Sequence, residues 1–181
     1  NARFDRRVAL VTEAVVLYQK HLTRYVYTMT HQWQDAENII QELWKYVVVY
    51  FKEEKILELG VDNVGAFIAE PIQGAGGVII PPKTYWPEIQ RICKKYDILL
   101  IADEVMAGFG RTGKWFAIDH SGVVPDMITM AKGLTSAYVQ LGALGMRRPI
   151  ADHFAEKVFG GGLTYNSHPL ACATALATIE V

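Results

Sequence analysis

The sequence predicts an α/β fold, a partial and mainly parallel sheet with flanking helices, preceded by a helical segment. Three observations carry this. Before Gly60 the 181-residue chain has neither Pro nor Gly, and its apolar residues recur at helical spacing. After Gly60 short aliphatic runs alternate with helical segments, the pattern of strands joined by crossover helices. Chemically competent side chains then stand at the ends of those runs, where open α/β sheets gather their ligands. The boundary divides the chain into residues 1–59, a helical segment of uncertain origin, and residues 60–181, a partial α/β core.

In chain order, Leu17, Leu22, Tyr25, Val26 and Met29 form one apolar stripe. Ile39, Ile40, Leu43, Trp44, Val47 and Val48 form another. Thr30–Gln34 breaks between them, and Asp35 suits the start of the second helix. An antiparallel helical pair is the plain expectation. Val64–Ala69 then reads as a strand and leads into the glycine-rich Gln73-Gly74-Ala75-Gly76-Gly77. Thr84–Tyr96 has helical periodicity, and Ile98–Ala102 is an aliphatic run of buried-strand type. Met127–Met130 and Leu141–Met146 are shorter strands, and Ala171–Val181 closes the sequence as a helix.

Composition narrows the function classes. Hydrophobic residues make up 51% and charged residues 20%, too apolar for a disordered chain. The net charge is −1, and residues 1–60 balance acid against base, so phosphate neutralisation of nucleic acid is disfavoured. Cys93 and Cys172 form no zinc-ligand spacing and no disulfide framework, so no metal is expected and a reducing, cytoplasmic setting is. The apolar runs fall short of a membrane span. The chain starts without Met and its last helix lacks a stop signal, so a piece of something longer is expected.

Five segments could carry chemistry. Asp103 and Glu104 follow the run Ile98–Ala102, and Lys132 follows Met127–Ala131. An acid and a lysine at neighbouring strand ends either share a crevice or form a simple ion pair. Gly108-Phe109-Gly110-Arg111-Thr112-Gly113 matches a dinucleotide fingerprint, yet it lies too far from its strand and lacks the later acidic residue. Trp115 also stands where a phosphate-binding loop needs Ser or Thr. Glu70-Pro71-Ile72-Gln73-Gly74 places a carboxylate beside a flexible backbone, as a tight turn would also do. Gly160–Pro169 is either an anion-holding loop using Thr164 or a surface loop. His120 and His168 read as structural.

These segments together resemble the central part of class III, pyridoxal-phosphate-dependent aminotransferases, closest to the ω-amino-acid:pyruvate type. The likeness covers residues 61–181. It rests on Glu70–Gly74, Leu100-Ile101-Ala102-Asp103-Glu104-Val105, Gly108–Gly113, Met130-Ala131-Lys132-Gly133, and Leu163-Thr164-Tyr165 before His168-Pro169, all in family order. It implies part of a fold-type-I large domain and pyridoxal 5'-phosphate as cofactor. It implies an amino donor and a keto-acid acceptor as substrates, and a homodimer. Lys132 would bond to the cofactor aldehyde and later move the proton from the substrate. Asp103 would face the pyridine nitrogen, Val105 would press on the ring, and Thr164 would bind the phosphate of a neighbouring subunit's cofactor. Glu70 would pair with a substrate-side arginine. Residues 108–113 become a structural loop. Met106, Gln140 and Asn166-Ser167 depart from common family residues without removing the core chemistry. The phosphate cup before Glu70 and the C-terminal domain have no counterpart in the sequence.

Residues 15–50 resemble something else. Tyr25–Met29 followed by Trp33–Trp44 is similar to region two of small sigma factors, where an acidic helix docks on RNA polymerase. That likeness implies a polymerase contact through residues 25–44 and, as the alternative function, an inactive chain that docks through its helices. An amphipathic helix with an acidic start explains the same residues. The promoter-reading segments are absent, so promoter recognition is not expected.

Overall fold

The computed structural model describes residues 53–75, 77–155, 157–158 and 160–181. The expected helical pair over residues 17–48 and the sigma-like segment lie outside the described residues. The chain divides into two compact units, Asn1–Leu59 and Gly60–Val181. In the first, residues 53–59 are helical and Lys55 pairs with Glu58 at 2.8 Å.

The second unit is built on a four-stranded sheet in the order β1 (Ala66–Ala69), β2 (Leu99–Asp103), β3 (Met127–Met130), β4 (Ala143–Met146). The first three strands are parallel, as expected. The run Leu141–Met146 also forms its strand, but only over Ala143–Met146 and antiparallel to β3. The first strand is Ala66–Ala69 rather than Val64–Ala69, because Val64 caps the 3-10 turn Val61–Asn63. Asp103 is the last residue of β2 rather than the first beyond it.

Between β1 and β2 runs α1 (Tyr85–Lys95). Its buried residues, Tyr85, Trp86, Ile89, Ile92 and Cys93, recur every three or four positions and form the stripe that a sheet-packed helix requires. Lys94 and Lys95 in the last turn suit the negative end of the helix dipole. The Trp86 indole donates to the Pro71 carbonyl at 3.4 Å and ties α1 to the loop after β1. Later come α2 (Arg148–His153) and α3 (Pro169–Glu180), each opened by a proline in its first turn, where the missing N–H costs nothing.

Strand alternation gives the sheet two unlike faces. Leu100 and Ala102 on β2 are almost wholly buried, and the packed core continues through Ile89, Ile92, Ala107 and Ile118. Residues that alternate with them, Leu99 and Asp103 on β2 and their register partners Ala66 and Thr129, share the other face. Leu99 is 37% exposed and Leu144, the register partner of Thr129, is 45% exposed, so that face is only partly covered among the described residues.

Candidate active site

The carboxyl ends of β1, β2 and β3 lie side by side, because Ala69 pairs with Ala102 and Asp103 with Thr129. Glu70 is the first residue after β1, Asp103 ends β2, and Lys132 comes two residues after β3. Three of the expected residues therefore collect along one edge of one parallel sheet.

The aspartate is partly pinned. The Val105 N–H donates to Asp103 Oδ1 at 3.1 Å, a turn that fixes the carboxylate while its other oxygen has no partner among the described residues. Asp103 and Val105 are both half-buried. No ion pair joins Asp103 to Lys132, so the plainer alternative of a strand-end salt bridge is not what forms. The Lys132 amine instead donates to the Met106 sulfur at 2.7 Å, and the side chain is exposed.

Lys132 sits in an unusual backbone. Its φ is +43°, a left-handed value that costs a non-glycine residue about 1–3 kcal/mol and that gathers at functional sites. The next residue has no choice of side chain. A Cβ on Gly133 would lie 2.8 Å from Phe109 Cβ, so the lysine turn packs directly on the loop 108–113. That loop is folded on itself, with Phe109 N–H donating to the Trp115 carbonyl at 2.7 Å and Phe109 edge-on to Phe116 at 5.7 Å. A Cβ on Gly108 would meet the Glu104 carbonyl oxygen at 2.8 Å, while Gly110 and Gly113 hold positive φ. The glycines thus serve close approach and turning, and the dinucleotide pattern is coincidental.

Sequence alone left Glu104 unassigned beyond its place beside Asp103. It is fully buried, and its carboxylate accepts N–H bonds from Ala117 at 3.1 Å and Ile118 at 2.7 Å, at the start of the 3-10 turn Ala117–Ser121. Burial raises its pKa above the ordinary carboxylate value, more than those two bonds lower it. The signal was present in the alternation: adjacent residues at a strand end point to opposite faces, so one of the two acids had to turn inward.

Glu70 Oε2 accepts the Gly74 N–H at 2.9 Å, closing the turn that the glycine allows. A Cβ on Gly74 would press at 3.0 Å on Met106, so Met106 lies between this turn and the lysine. Thr164 stands apart, in an exposed turn with no hydrogen bond to the strand-end residues. His120 is held by the carbonyl and hydroxyl of Thr112 at 3.0 and 3.1 Å, a structural contact. Among the described residues no group of three acids, histidines or cysteines could hold a metal, and no helix is long and apolar enough to cross a membrane.

A sheet whose adjacent parallel strand ends present a carboxylate with one free oxygen and a lysine with no acid partner defines a protein built for a small ligand at its carboxyl edge. Comparison with known proteins specifies the class. The family model "Aminotransferase class-III" matches residues 11–181. The chain belongs to the class III aminotransferases, a pyridoxal-phosphate-dependent family. It is 55% identical over 130 residues to putrescine–pyruvate aminotransferase of Pseudomonas aeruginosa, a stretch covering 71% of this chain and 28% of that protein. It is 49% identical over 134 residues to the mitochondrial gamma-aminobutyrate transaminase 1 of rice, covering 71% of the chain and 26% of the relative. Among solved structures, the (S)-enantioselective omega-transaminase of Thermomicrobium roseum superposes with a TM-score of 0.72 at 49% identity, over 77% of this chain and 31% of that one. The chain therefore spans under a third of the length of these relatives. The family match also runs through the segment in which the sigma-like likeness was noted.

Proposed function

We propose that this chain carries the cofactor-binding centre of an aminotransferase that moves an amino group from an amine or ω-amino acid to a keto acid such as pyruvate. The observation that carries the reading is the strand register that sets Asp103 and Lys132 at the carboxyl ends of adjacent parallel strands with no salt bridge between them. The residues present fit pyridoxal 5'-phosphate. Asp103 offers a carboxylate held on one oxygen and open on the other, suited to a protonated ring nitrogen. Lys132 offers an amine whose partner is a thioether rather than an acid, so it can bond to an aldehyde.

When bound, the cofactor supplies an electron sink for the charge left as a proton departs from the substrate carbon next to nitrogen. The chain's own residues do the rest. Lys132 holds the cofactor and then, as the free amine, carries that proton from one carbon to another. Asp103 keeps the ring nitrogen protonated, and Val105, beside it in the same turn, presses on the ring. Glu70, already tied to Gly74, lies on the substrate side and pairs with an arginine. Thr164, exposed and uncommitted, suits the phosphate held by a second subunit, which supports a homodimer. The two free cysteines support a cytoplasmic setting.

The test is direct. Pyridoxal phosphate is added to the full chain, its visible absorbance is followed, and the complex is reduced with borohydride and mapped by peptide mass spectrometry. A pyridoxyl adduct on Lys132, lost in Lys132→Ala, is the expected result. An adduct spread over surface lysines, unchanged in Lys132→Ala, would overturn the assignment.

A further inference from the structure

Two described side-chain oxygens are buried without any hydrogen-bond partner, and one of them is Thr129 Oγ1. Such a hydroxyl opposes folding, and valine would fill the same space without that cost. The position in the sheet shows what the hydroxyl can serve. Thr129 lies on β3 in register with Asp103 on β2. Paired residues leave a sheet on the same face, from strands about 4.8 Å apart. The Thr129 carbonyl is already committed, accepting the Glu104 N–H at 2.9 Å. Across the register, Val105 holds only Oδ1 of Asp103. A donor without a partner and an acceptor without a partner thus share one face at one level of the sheet.

We infer that Thr129 is a positioning residue for Asp103. With cofactor bound, its hydroxyl donates to the carboxylate oxygen that Val105 leaves free and fixes the plane the carboxylate presents to the ring nitrogen. A carboxylate oxygen has two lone pairs, so it accepts from Thr129 and from the ring N–H together. Outer partners of this kind orient ligating groups in many sites. The inference rests on the cofactor assignment made above.

Thr129→Val and Thr129→Ser in the full chain test it, with two readouts. One is the melting temperature without cofactor; the other is pyridoxal phosphate affinity, from absorbance titration. Thr129→Val is expected to melt no lower than the unsubstituted chain, yet to bind the cofactor about tenfold more weakly, the order of one hydrogen bond to a charged group. Thr129→Ser is expected to restore most of the affinity. Equal affinity in Thr129→Val, a lowered melting temperature without cofactor, or no rescue by serine would each overturn the positioning role. If the unsubstituted chain takes up no cofactor, the assignment of the site fails first, and this inference falls with it.

Discussion

Replacing Glu104 with alanine is expected to be among the most damaging single changes outside the hydrophobic core. The carboxylate is fully buried and accepts two backbone N–H bonds, from Ala117 and Ile118. Alanine leaves both donors buried and unpaired, at about 1–3 kcal/mol each, so the cost is about 2–6 kcal/mol. Set against a stability of about 5–15 kcal/mol for a typical domain, that is a large fraction. Glutamine keeps the shape and one acceptor, so Glu104→Gln is expected to cost about 1–3 kcal/mol. The penalty also depends on pH. Because burial raises the folded-state pKa above the ordinary 4.5, the folded state holds the proton more tightly than the unfolded state. The stability that Glu104 contributes by this route is full below 4.5 and is lost as pH rises through the folded-state pKa. The difference between the unsubstituted chain and Glu104→Ala should therefore be largest in acid and shrink towards neutrality. Urea unfolding followed by the fluorescence of Trp86, which is buried against the loop after β1, measures this at several pH values. An alanine variant within about 1 kcal/mol of the unsubstituted chain at every pH would refute the reasoning.

Three further substitutions have expected outcomes. Gly133→Ala forces a Cβ to within 2.8 Å of Phe109 Cβ, so it is expected to cost about 1–3 kcal/mol in urea unfolding. It should also lower the borohydride-trapped yield on Lys132, whose backbone it displaces. Asp126→Ala removes the acceptor of the Leu100 N–H at 2.9 Å and is expected to cost about 1–2 kcal/mol. Arg147→Ala loses only a half-exposed ion pair to the same aspartate and is expected to cost under about 1 kcal/mol in the same assay.

Much of the architecture was legible because it rests on local pattern. The aliphatic runs at residues 98–102 and 127–130 read as inner strands and both formed, the second where read and the first one residue later, as Leu99–Asp103 without Ile98. The direction of β4 was not legible. A strand of Ala-Leu-Gly-Met carries no local mark of direction, and what turns it is a contact with β3. The strand-end residues Glu70, Asp103 and Lys132 were readable because carboxyl ends of parallel strands are marked by where the apolar run stops. Their partners were not readable. Met106 meets Lys132 across 26 residues, and Gly133 is required by Phe109, 24 positions earlier. Such requirements belong to packing, and a single sequence records only the residue that satisfies them. Thr129 is the clearest case, because its side chain looks like an ordinary strand threonine until its hydroxyl is found without a partner.

The two adjacent acids explain why the lysine can occupy so strained a turn. Asp103 faces the open side of the sheet, while Glu104 turns inward and binds the start of the 3-10 turn at Ala117. That turn follows Phe116 and Trp115, and both contact Phe109. Phe109 in turn fills the space over Gly133, next to Lys132. A continuous set of packed and hydrogen-bonded groups therefore runs from the inner acid to the lysine backbone. The outer acid is left free to face a ligand. Positive φ at Lys132 persists because the structure beneath it over-determines the turn, as strained residues at working sites require. The inner acid is thus a support for the lysine, and the pair Asp103-Glu104 divides one strand end between ligand and scaffold.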